Sequence, residues 1–420
     1  MALKKIFLNV ILIFLLLFSF RLPMLFNSTI LAFFISIPII LKSKDLLLFY
    51  HLFISRYMFR IFIVFILVII TSLLPAIFHL TYDITILNKF IGSGATIAIS
   101  IFIFATMFND LKDKNTIIKY FVFVFLLQSI IQIFGLVNPT FLSFIQTFQD
   151  PNAREVAEFY QGMRGLALSS DIFFGLSGAY GLIYLLYTAY LIDKENTTYL
   201  DFFIFLFLII GSFFVGKTAL IGLIISFLYL LFSKIRIRNK IKIVIISFFT
   251  IVISSFILYS MLSDGLQDII TEQLLPQAFD IFYNYIDTGN YNNYSTTRLT
   301  EMLAVPISLE NYLIGSGYYT VDGHYYLHTD SGYIRQILYG GILYMLIILI
   351  YQKVFLLDLY WLSFENKKEK YYFKLLNNCI LLYLLILHIK GEIIGTNKMI
   401  LVILVFYALS MLKFKKKQRN

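Results

Sequence analysis

Residues 61–80 read IFIVFILVIITSLLPAIFHL, a stretch with no aspartate, glutamate, lysine or arginine. About 20 apolar residues in a helix cross the hydrocarbon core of a bilayer. The stretch is typical of the whole chain, because 60% of the 420 residues are hydrophobic and only 14% are charged. Soluble domains carry about 25% charged residues. The composition therefore excludes a soluble enzyme and predicts an all-α polytopic membrane protein.

Further apolar runs, separated by charged clusters, bring the total to about 12 predicted transmembrane helices. They lie at about 6–20, 27–41, 61–80, 90–108, 117–137, 166–191, 202–215, 217–232, 243–262, 333–352, 375–389 and 399–412. The apolar run over 202–232 is too long for one straight span, so residues 211–218 are predicted to form a turn between two short helices. A short apolar segment at 46–54 is predicted to lie at the membrane interface.

These spans divide the chain into three parts. Residues 1–262 hold the first nine spans and a short loop at about 138–165. Residues 263–332 form one large loop between spans nine and ten, and residues 333–420 hold the last three spans and a basic tail. Within the large loop, apolar residues recur at helical spacing over 269–282 with a kink expected at Pro276, and a helix is expected over 297–305, before Pro306.

The positive charges predict the orientation. The chain has 34 Lys and Arg against 24 Asp and Glu, a net charge of +10. Twenty-five of these cations fall in alternate connections, on the side that also holds both termini. Cytoplasmic loops are enriched in Lys and Arg, so both loops named above are expected to face the other side. Topology thus explains the basic balance without nucleic acid.

Nine cations lie away from the basic side, where topology does not account for them. They are Arg21, Lys89, Arg154, Arg164, Lys217, Arg298, Arg335, Lys390 and Lys398. Four of them, Arg21, Lys89, Lys390 and Lys398, are expected to snorkel to the interface. The remaining five are candidates for binding an anion, and Arg suits a pyrophosphate especially because it donates two parallel hydrogen bonds.

Two histidines lie in the sequence DGHYYLHTDSGYIR at 322–335, just before the tenth span. A neutral imidazole at a cavity mouth can act as a general base, and His328 is the candidate. Asp330 is a candidate for its orienting partner or for a second acid. If a helix begins near Thr329, His328 and Arg335 share one face. The alternative is that His324 and His328 are simply solvated.

The sixth predicted span contains a carboxylate, Asp171, and glycines at every third position from 175 to 181. Glycines at this spacing favour close helix packing. A carboxylate inside a membrane needs a partner, and Lys217 is the predicted one. Residues 211–218 also match the phosphate-binding loop GxxxxGKT, but that motif requires a strand before it, so nucleotide binding is rejected.

The sequence is rich in tyrosine near the large loop and poor in residues that could bind zinc. Ten tyrosines lie between 283 and 333, where they serve either as a membrane-interface belt or, as with Tyr325, as flat surfaces for sugar rings. The only cysteine, Cys379, lies in an apolar run. Separated histidines and a single cysteine make a zinc site improbable, and no cofactor is expected.

Four motifs occur in a suggestive order. They are Met163-Arg164-Gly165 before a Gly/Ser-rich span; GSFFVGKT at 211–218; Arg298 followed by NYLIGSG at 311–317; and HTDSG at 328–332 running into LYGG at 338–341. This order, over about residues 160–345, resembles the Wzy-type polymerases of O-antigen and capsule, which share a pattern with the O-antigen ligases. Lys217 departs from that pattern, since the family commonly has Arg there.

The resemblance implies a membrane glycosyltransferase of the GT-C-like class in the bacterial inner (cytoplasmic) membrane, with its active site on the periplasmic face. Donor and acceptor would be undecaprenyl-diphosphate-linked oligosaccharides, and no metal would be needed. Arg164 and Arg298 would bind the diphosphate, and His328, beside Asp330, would take the acceptor proton. The expected substrate-binding residues are Lys217, Arg335, Asp171, Arg154, His324 and Tyr325. A chain-length regulator and a flippase are candidate partners.

Two alternatives stay open from the sequence. An O-antigen ligase would use the same donor but glycosylate lipid A-core. A transporter or lipid flippase is a different class of protein, in which internal repeats of spans are common. No such repeat is apparent in this sequence, and a loop of 70 residues is unusual for a transporter.

Overall fold

The structure is a computed structural model. It describes residues 2–23, 27–43, 45–151, 154–155, 163–194, 197–234, 240, 252, 256, 259–260, 264–278, 284–286, 289, 294–358, 362–393 and 395–415. The predicted ninth span, 243–262, lies almost entirely outside the described residues, as do Phe279, Phe282 and the end of the basic tail. In the described part, regular structure is helical except for one two-stranded hairpin.

The helices are numbered in chain order. The first ten are α1 (Ala2–Phe18), α2 (Ser28–Ser43), α3 (Leu46–Phe53), α4 (Arg56–Phe78), α5 (Thr85–Met107), α6 (Thr116–Val137), α7 (Pro139–Gln146), α8 (Phe174–Asp193), α9 (Tyr199–Phe213) and α10 (Thr218–Phe232). Then follow α11 (Asp264–Asp268), α12 (Leu275–Ala278), α13 (Tyr294–Leu303), α14 (Leu309–Ile314), α15 (Gly332–Val354), α16 (Lys367–Lys390) and α17 (Lys398–Lys415). The hairpin strands are β1 (Thr320–Val321) and β2 (His324–Tyr325).

Six of the described helices are long and apolar enough to cross a membrane. They are Arg56–Phe78, Thr85–Asp110, Thr116–Val137, Phe174–Asp193, Gly332–Val354 and Lys367–Lys390. The remaining predicted spans that the structure describes coincide with α1, α2, α9, α10 and α17, which are shorter or more charged. The chain is therefore an all-α membrane protein, as the composition predicts.

Helix α8 lies at the centre of the bundle, with nearly every residue buried. Its glycines permit close packing, as their spacing predicts. Gly181 on α8 faces Gly222 on α10, and the Tyr383 hydroxyl of α16 approaches the same place. Because neither glycine has a side chain, the two backbones can approach each other closely.

Replacing Gly222 by alanine is expected to destabilise the protein. The added methyl group would lie 2.2 Å from the Cα atom of Gly181, and backbone cannot move aside as a flexible side chain can. Overpacking of this kind costs about 1–3 kcal/mol. Thermal unfolding in detergent measures the effect. Gly92→Ala on α5 is the matched control, because no atom lies within 4 Å of its added methyl group. An equal unfolding temperature in both variants would contradict the close packing of Gly222 against Gly181.

The long apolar run at 202–232 folds as two short helices, α9 and α10, joined by a turn at 214–217, as predicted. The turn depends on Gly216, whose φ of 153° is in a region that L side chains rarely adopt. Ser177 of α8 holds the turn by donating to the Gly216 carbonyl (2.9 Å) and accepting from the Ala219 N–H (2.9 Å). The turn is preceded by helix α9.

Helix α15 is broken at Gly341, where φ is 75° and ψ is −177°. The break has a large effect on packing. Gln336 and Gln352 would lie about 24 Å apart along a straight helix. Instead, they contact opposite nitrogens of the buried His388 ring, at 3.0 and 2.9 Å. The sequence predicts one continuous span here, and the structure shows two helical segments.

The large loop contains helices close to the predicted positions. Residues 264–278 are helical, with a π-helical turn at Ile269–Leu274 directly before Pro276. A wide turn before a proline accommodates the missing backbone N–H. The helix predicted over 297–305 is α13, Tyr294–Leu303, which ends before Pro306 as expected. After α14, the chain folds onto α15.

Candidate functional site

The segment between α14 and β1 is held to the break in α15 by backbone hydrogen bonds. The N–H groups of Ser316 and Gly317 donate to the carbonyl oxygens of Leu338 and Tyr339, at 2.6 and 3.0 Å. Because Gly341 interrupts the helix, carbonyls just before it lack their usual helical donors. This contact requires a glycine at position 315, because an added Cβ there would lie 2.3 Å from the Tyr339 carbonyl oxygen.

The connection between α4 and α5 holds the same segment from the other side. One oxygen of Asp83, Oδ2, accepts hydrogen bonds from the backbone N–H groups of Tyr319 and Thr320, both at 2.7 Å. Thr81 donates its hydroxyl to the Gly317 carbonyl at 2.7 Å. These bonds fix the start of the hairpin relative to the membrane-spanning helices.

The hairpin itself turns at Asp322 and Gly323. Val321 pairs with His324, so the loop has two residues, and both have positive φ values of 50° and 78°. Asp-Gly is a preferred sequence for such a two-residue turn. The turn places β2 and the following short helix at Tyr326–His328 beside α13 and α15.

The two candidate histidines lie close together at the end of this hairpin. Both side chains are exposed, and their ring centres are 5.7 Å apart. Leu327 and His328 adopt φ values of 53° and 54°, which are uncommon for residues with a side chain. Such backbone strain persists only where surrounding contacts determine the conformation, and it clusters at functional sites.

Arg298 supplies one such contact. Its Nη2 atom donates to the backbone carbonyl of His328 at 3.1 Å, although the two residues are 30 positions apart. A second nitrogen, Nη1, lies 3.5 Å from Glu301 on the same helix. Thr329 adds a bond from its hydroxyl to the Met302 carbonyl at 2.9 Å. Helix α13 is thereby attached to the histidine segment.

Asp330 lies near charged groups from two other parts of the chain, α13 and the end of α16. Burial raises the pKa of its carboxyl group, while the positive charges of Arg298 and Lys390 act to lower it. No hydrogen bond joins Asp330 to His328 among the described residues. The predicted role of Asp330 as the orienting partner of His328 is therefore not seen, and its charged neighbours are cations.

Tyr325 gives a second measure of how these groups converge. Burial raises the pKa of its hydroxyl to about 12, and the negative charges of Glu392, Asp330 and Asp171 add to the effect. These three carboxylates come from the break between α16 and α17, from the loop and from the start of α8. Residues distant in sequence thus border one polar region at this end of the bundle.

Asp171 does not form the predicted pair with Lys217. Its carboxylate accepts the backbone N–H groups of Phe173 and Gly175, both at 3.2 Å, at the start of α8. Burial raises its pKa, and these two bonds act to lower it. A carboxylate at a helix N-terminus is stabilised by the unpaired N–H groups there. No salt bridge between Asp171 and Lys217 occurs in the part of the chain that is described.

The beginning of α10 adds cationic groups to the same end. Lys217 precedes the helix, and Lys390 donates to the Thr218 hydroxyl at 3.3 Å. The positive charge of Lys390 also acts to lower the pKa of the Asp330 carboxyl group. The sequence predicts that Lys390 merely snorkels, but the structure places its ammonium group beside α10. An N-terminal helix end with two lysines is a favourable environment for an anion.

Arg335 lies in a buried cluster, not at an open surface. It forms an ion pair with Glu392 at 3.5 Å and hydrogen-bonds the Tyr319 hydroxyl. The guanidinium carbon lies 3.4 Å from the ring centre of Tyr325 and 4.5 Å from that of Tyr319. Lys89 donates to the same Tyr319 hydroxyl at 3.1 Å. We call Lys89, Tyr319, Tyr325, Arg335 and Glu392 the buried cluster.

The structure corrects four expectations in this region. Helix α15 begins at Gly332, after His328, so His328 and Arg335 do not share a helical face. Lys89, expected to snorkel, is bound to Tyr319. Arg335, expected to bind substrate, is buried and paired within the protein. One face of Tyr325, a predicted sugar surface, is covered by Arg335.

Two predicted arginines stay outside this geometry. The backbone of Arg164 lies in a short helical turn, Met163–Leu166, and its side chain is outside the described part of the structure. Arg154 follows α7, with its N–H bonded to the Asp150 carbonyl at 3.1 Å. The contacts described do not bring Arg154 to the site. His324 does belong to the site, next to His328.

Sequence reasoning missed Tyr319, Lys89, Glu392 and Lys390 as site residues. Glu392 is the most informative omission, because a carboxylate between two apolar segments needs a partner. It lies just after the predicted span at 375–389, where an interfacial position explains it equally well. The Asp-Gly pair at 322–323 was the available signal for the hairpin.

Comparison with protein-family models, curated proteins and solved structures gives no match to this chain. Its function must therefore be inferred from the site.

Proposed function

We propose that the protein is a Wzy-type polysaccharide polymerase. It transfers a growing glycan from undecaprenyl diphosphate to a sugar hydroxyl of the next lipid-linked repeat unit, in O-antigen or capsule biosynthesis. The proposal extends the all-α membrane architecture to about 12 spans and a GT-C-like fold. The site then faces the periplasm, because the basic connections orient the chain in the inner membrane.

One observation carries the proposal: Arg298 is bonded to the backbone of His328. The resemblance assigns these residues to leaving-group binding and proton transfer, and the two roles require them to be close. They come from separate motifs, and nothing in their sequence spacing requires contact. Their meeting beside Asp330 and Lys390 supports a site that handles both an anion and a proton.

The proposed reaction needs a general base for the acceptor hydroxyl and cations that bind the leaving diphosphate. The acceptor hydroxyl oxygen attacks the anomeric carbon, and the bond from that carbon to the diphosphate oxygen breaks. His328 takes the hydroxyl proton as general base. Arg298 and Arg164 bind the diphosphate, which leaves still attached to its lipid, with the bonding electrons on the departing oxygen. Lys217 and Lys390, near the start of α10, add positive charge for the same anion.

Replacing His328 by alanine is expected to lower polymer formation by about 100-fold or more, because general-base catalysis contributes about 10²–10⁴-fold. The measurement is the sugar ladder from a deletion strain complemented with each variant. His51→Ala is the matched control, since His51 is exposed on α3, away from the site. Full-length polymer from His328→Ala at equal protein level would refute the catalytic assignment.

The ligase alternative gives a different product pattern in the deletion strain. Loss of a polymerase leaves lipid-linked sugar with a single repeat. Loss of a ligase leaves long chains that are not attached to lipid A-core. The His328-Thr-Asp330 triplet favours the polymerase.

The transporter alternative is favoured by one observation, the break in α15. Discontinuous helices frequently form the binding sites of transporters near the middle of the membrane. Here, however, the carbonyls freed by the break bind the loop backbone at Ser316 and Gly317. Purified protein in vesicles distinguishes the two classes, because only a polymerase makes glycosidic bonds when donor and acceptor share one leaflet.

A further inference from the structure

We propose that Tyr319 is a positioning residue, whose hydroxyl fastens the histidine-bearing hairpin to the membrane-spanning helices. Its role in catalysis rests on the proposed function, whereas the fastening itself does not. Tyr319 is 2% exposed, so it does not contact substrate from solution. It acts through the segment that it begins, which includes His324 and His328.

The hydroxyl of Tyr319 is fully used. Lys89 and Arg335 both donate to its oxygen, and the hydroxyl donates to Glu392. A tyrosine hydroxyl has one donor proton and can accept two hydrogen bonds, so no capacity remains. A single oxygen atom thus joins α5, α15 and the connection between α16 and α17. Phenylalanine has the same ring and lacks only this atom.

The charges in the cluster make this oxygen important. Lys89 and Arg335 are cations, whereas Glu392 is the carboxylate that pairs with Arg335. Burying charged groups is costly unless they are paired and hydrogen-bonded. Arg335 Nε and Glu392 Oε1 are already buried without partners in the described residues. Removing the Tyr319 oxygen would take one more hydrogen bond from each of Lys89, Arg335 and Glu392.

The backbone of Tyr319 carries the effect to the site. Its N–H is bound by Asp83, and its carbonyl accepts the N–H of Tyr326 at 3.1 Å. Tyr326 opens the short helix that ends at His328. The ring of Tyr319 also meets Tyr325 edge-on at 5.9 Å. A shift of Tyr319 therefore moves residues on both sides of the histidines.

The test compares Tyr319→Phe with Tyr318→Phe in the full-length protein. Tyr318 is 43% exposed and its ring lies 5.6 Å from that of Tyr326, so its variant controls for losing a tyrosine hydroxyl in this loop. With a synthetic lipid-diphosphate-linked repeat unit, Tyr319→Phe should lower kcat by about 10- to 100-fold and change KM by less than about 3-fold, because a small misplacement of catalytic groups can reduce the rate about 100-fold.

Hydrogen exchange without substrate gives the second readout. Peptides covering 318–328 should exchange at least about 10-fold faster in Tyr319→Phe, whereas peptides from α8 should be unchanged. Unchanged exchange and unchanged kcat would overturn the proposal. A uniform rise in exchange would also overturn it, because the residue would then support overall stability. If the wild-type protein makes no polymer, the proposed function is wrong. Hydrogen exchange alone then tests whether Tyr319 holds the hairpin to the membrane-spanning helices.

Discussion

Arg298→Ala is expected to reduce polymer formation by at least about 100-fold. Removing one donor that stabilises developing negative charge costs about 10²–10³-fold in rate. In the proposed mechanism Arg298 has a second function, since its bond to the His328 carbonyl would hold the proposed general base in place. Alanine removes both functions at once.

One further variant separates these functions, and a second is a control. Arg298→Lys keeps the positive charge but cannot donate two parallel hydrogen bonds, so we expect intermediate activity. Glu310→Gln, at an exposed position on α14, controls for a change of charge in the loop. Rates measured with purified protein and a lipid-linked repeat unit give the comparison. Activity in Arg298→Ala within about 3-fold of wild type would contradict leaving-group binding by Arg298.

Arg335→Met is expected to cause the largest loss of stability. Arg335 and Glu392 are both buried, and their side chains lie 3.5 Å apart. Removing one partner of a buried ion pair costs about 3–5 kcal/mol. Glu392 would lose its salt bridge to Arg335 and keep Lys89 and the Tyr319 hydroxyl nearby. The free energy of unfolding, measured by denaturant titration in detergent micelles, should fall by this amount.

The double variant Arg335→Met/Glu392→Gln provides the control. It removes both charges, so much of the lost stability should return. If the single and double variants were equally unstable, the loss would come from packing around Arg335 or from Lys89, which the double variant leaves without the Glu392 charge, and not from an unpaired Glu392. Lys114→Met, at the ion pair with Asp193, tests whether any lost lysine or arginine has the same effect.

Hydropathy is sufficient to predict most of the helices, because a lipid-facing segment must be apolar and must pair its own backbone N–H and C=O groups. The turn between α9 and α10 followed from the length of the run and its glycines. The start of the sixth span was predicted too early, at 166, whereas α8 begins at Phe174. Apolar residues continue before the helix, and Asp171 lies in this stretch, with its side chain accepting the N–H groups of Phe173 and Gly175.

The break in α15 could not be found by the same reasoning. Gly340 and Gly341 lie within an apolar run, and glycine is tolerated in membrane helices. What decides the break is tertiary contact: the Leu313 carbonyl would lie 2.1 Å from a Cβ at Gly341. Hydropathy contains no information on such a contact between α14 and α15.

The candidate site was predicted in part. Subtracting the cations that orient the protein left nine, and Arg298, Lys217 and Arg335 lie at this end of the bundle. For Lys89 and Lys390 the sequence predicts only snorkelling, because an isolated lysine near a helix end can reach the interface. Only the fold shows that Tyr319 and Thr218 bind them. The Asp171–Lys217 pair was wrong because backbone N–H groups bind Asp171 instead.

The most direct test of the proposed function uses purified protein and a single lipid-diphosphate-linked repeat unit, with no other protein present. Products are separated by size on a gel. The proposal predicts a ladder of chains that differ by one repeat, each still attached to its lipid diphosphate, and no ladder from His328→Ala. If the wild-type protein left the single repeat unchanged, or only moved it across the membrane, the polymerase assignment would be contradicted.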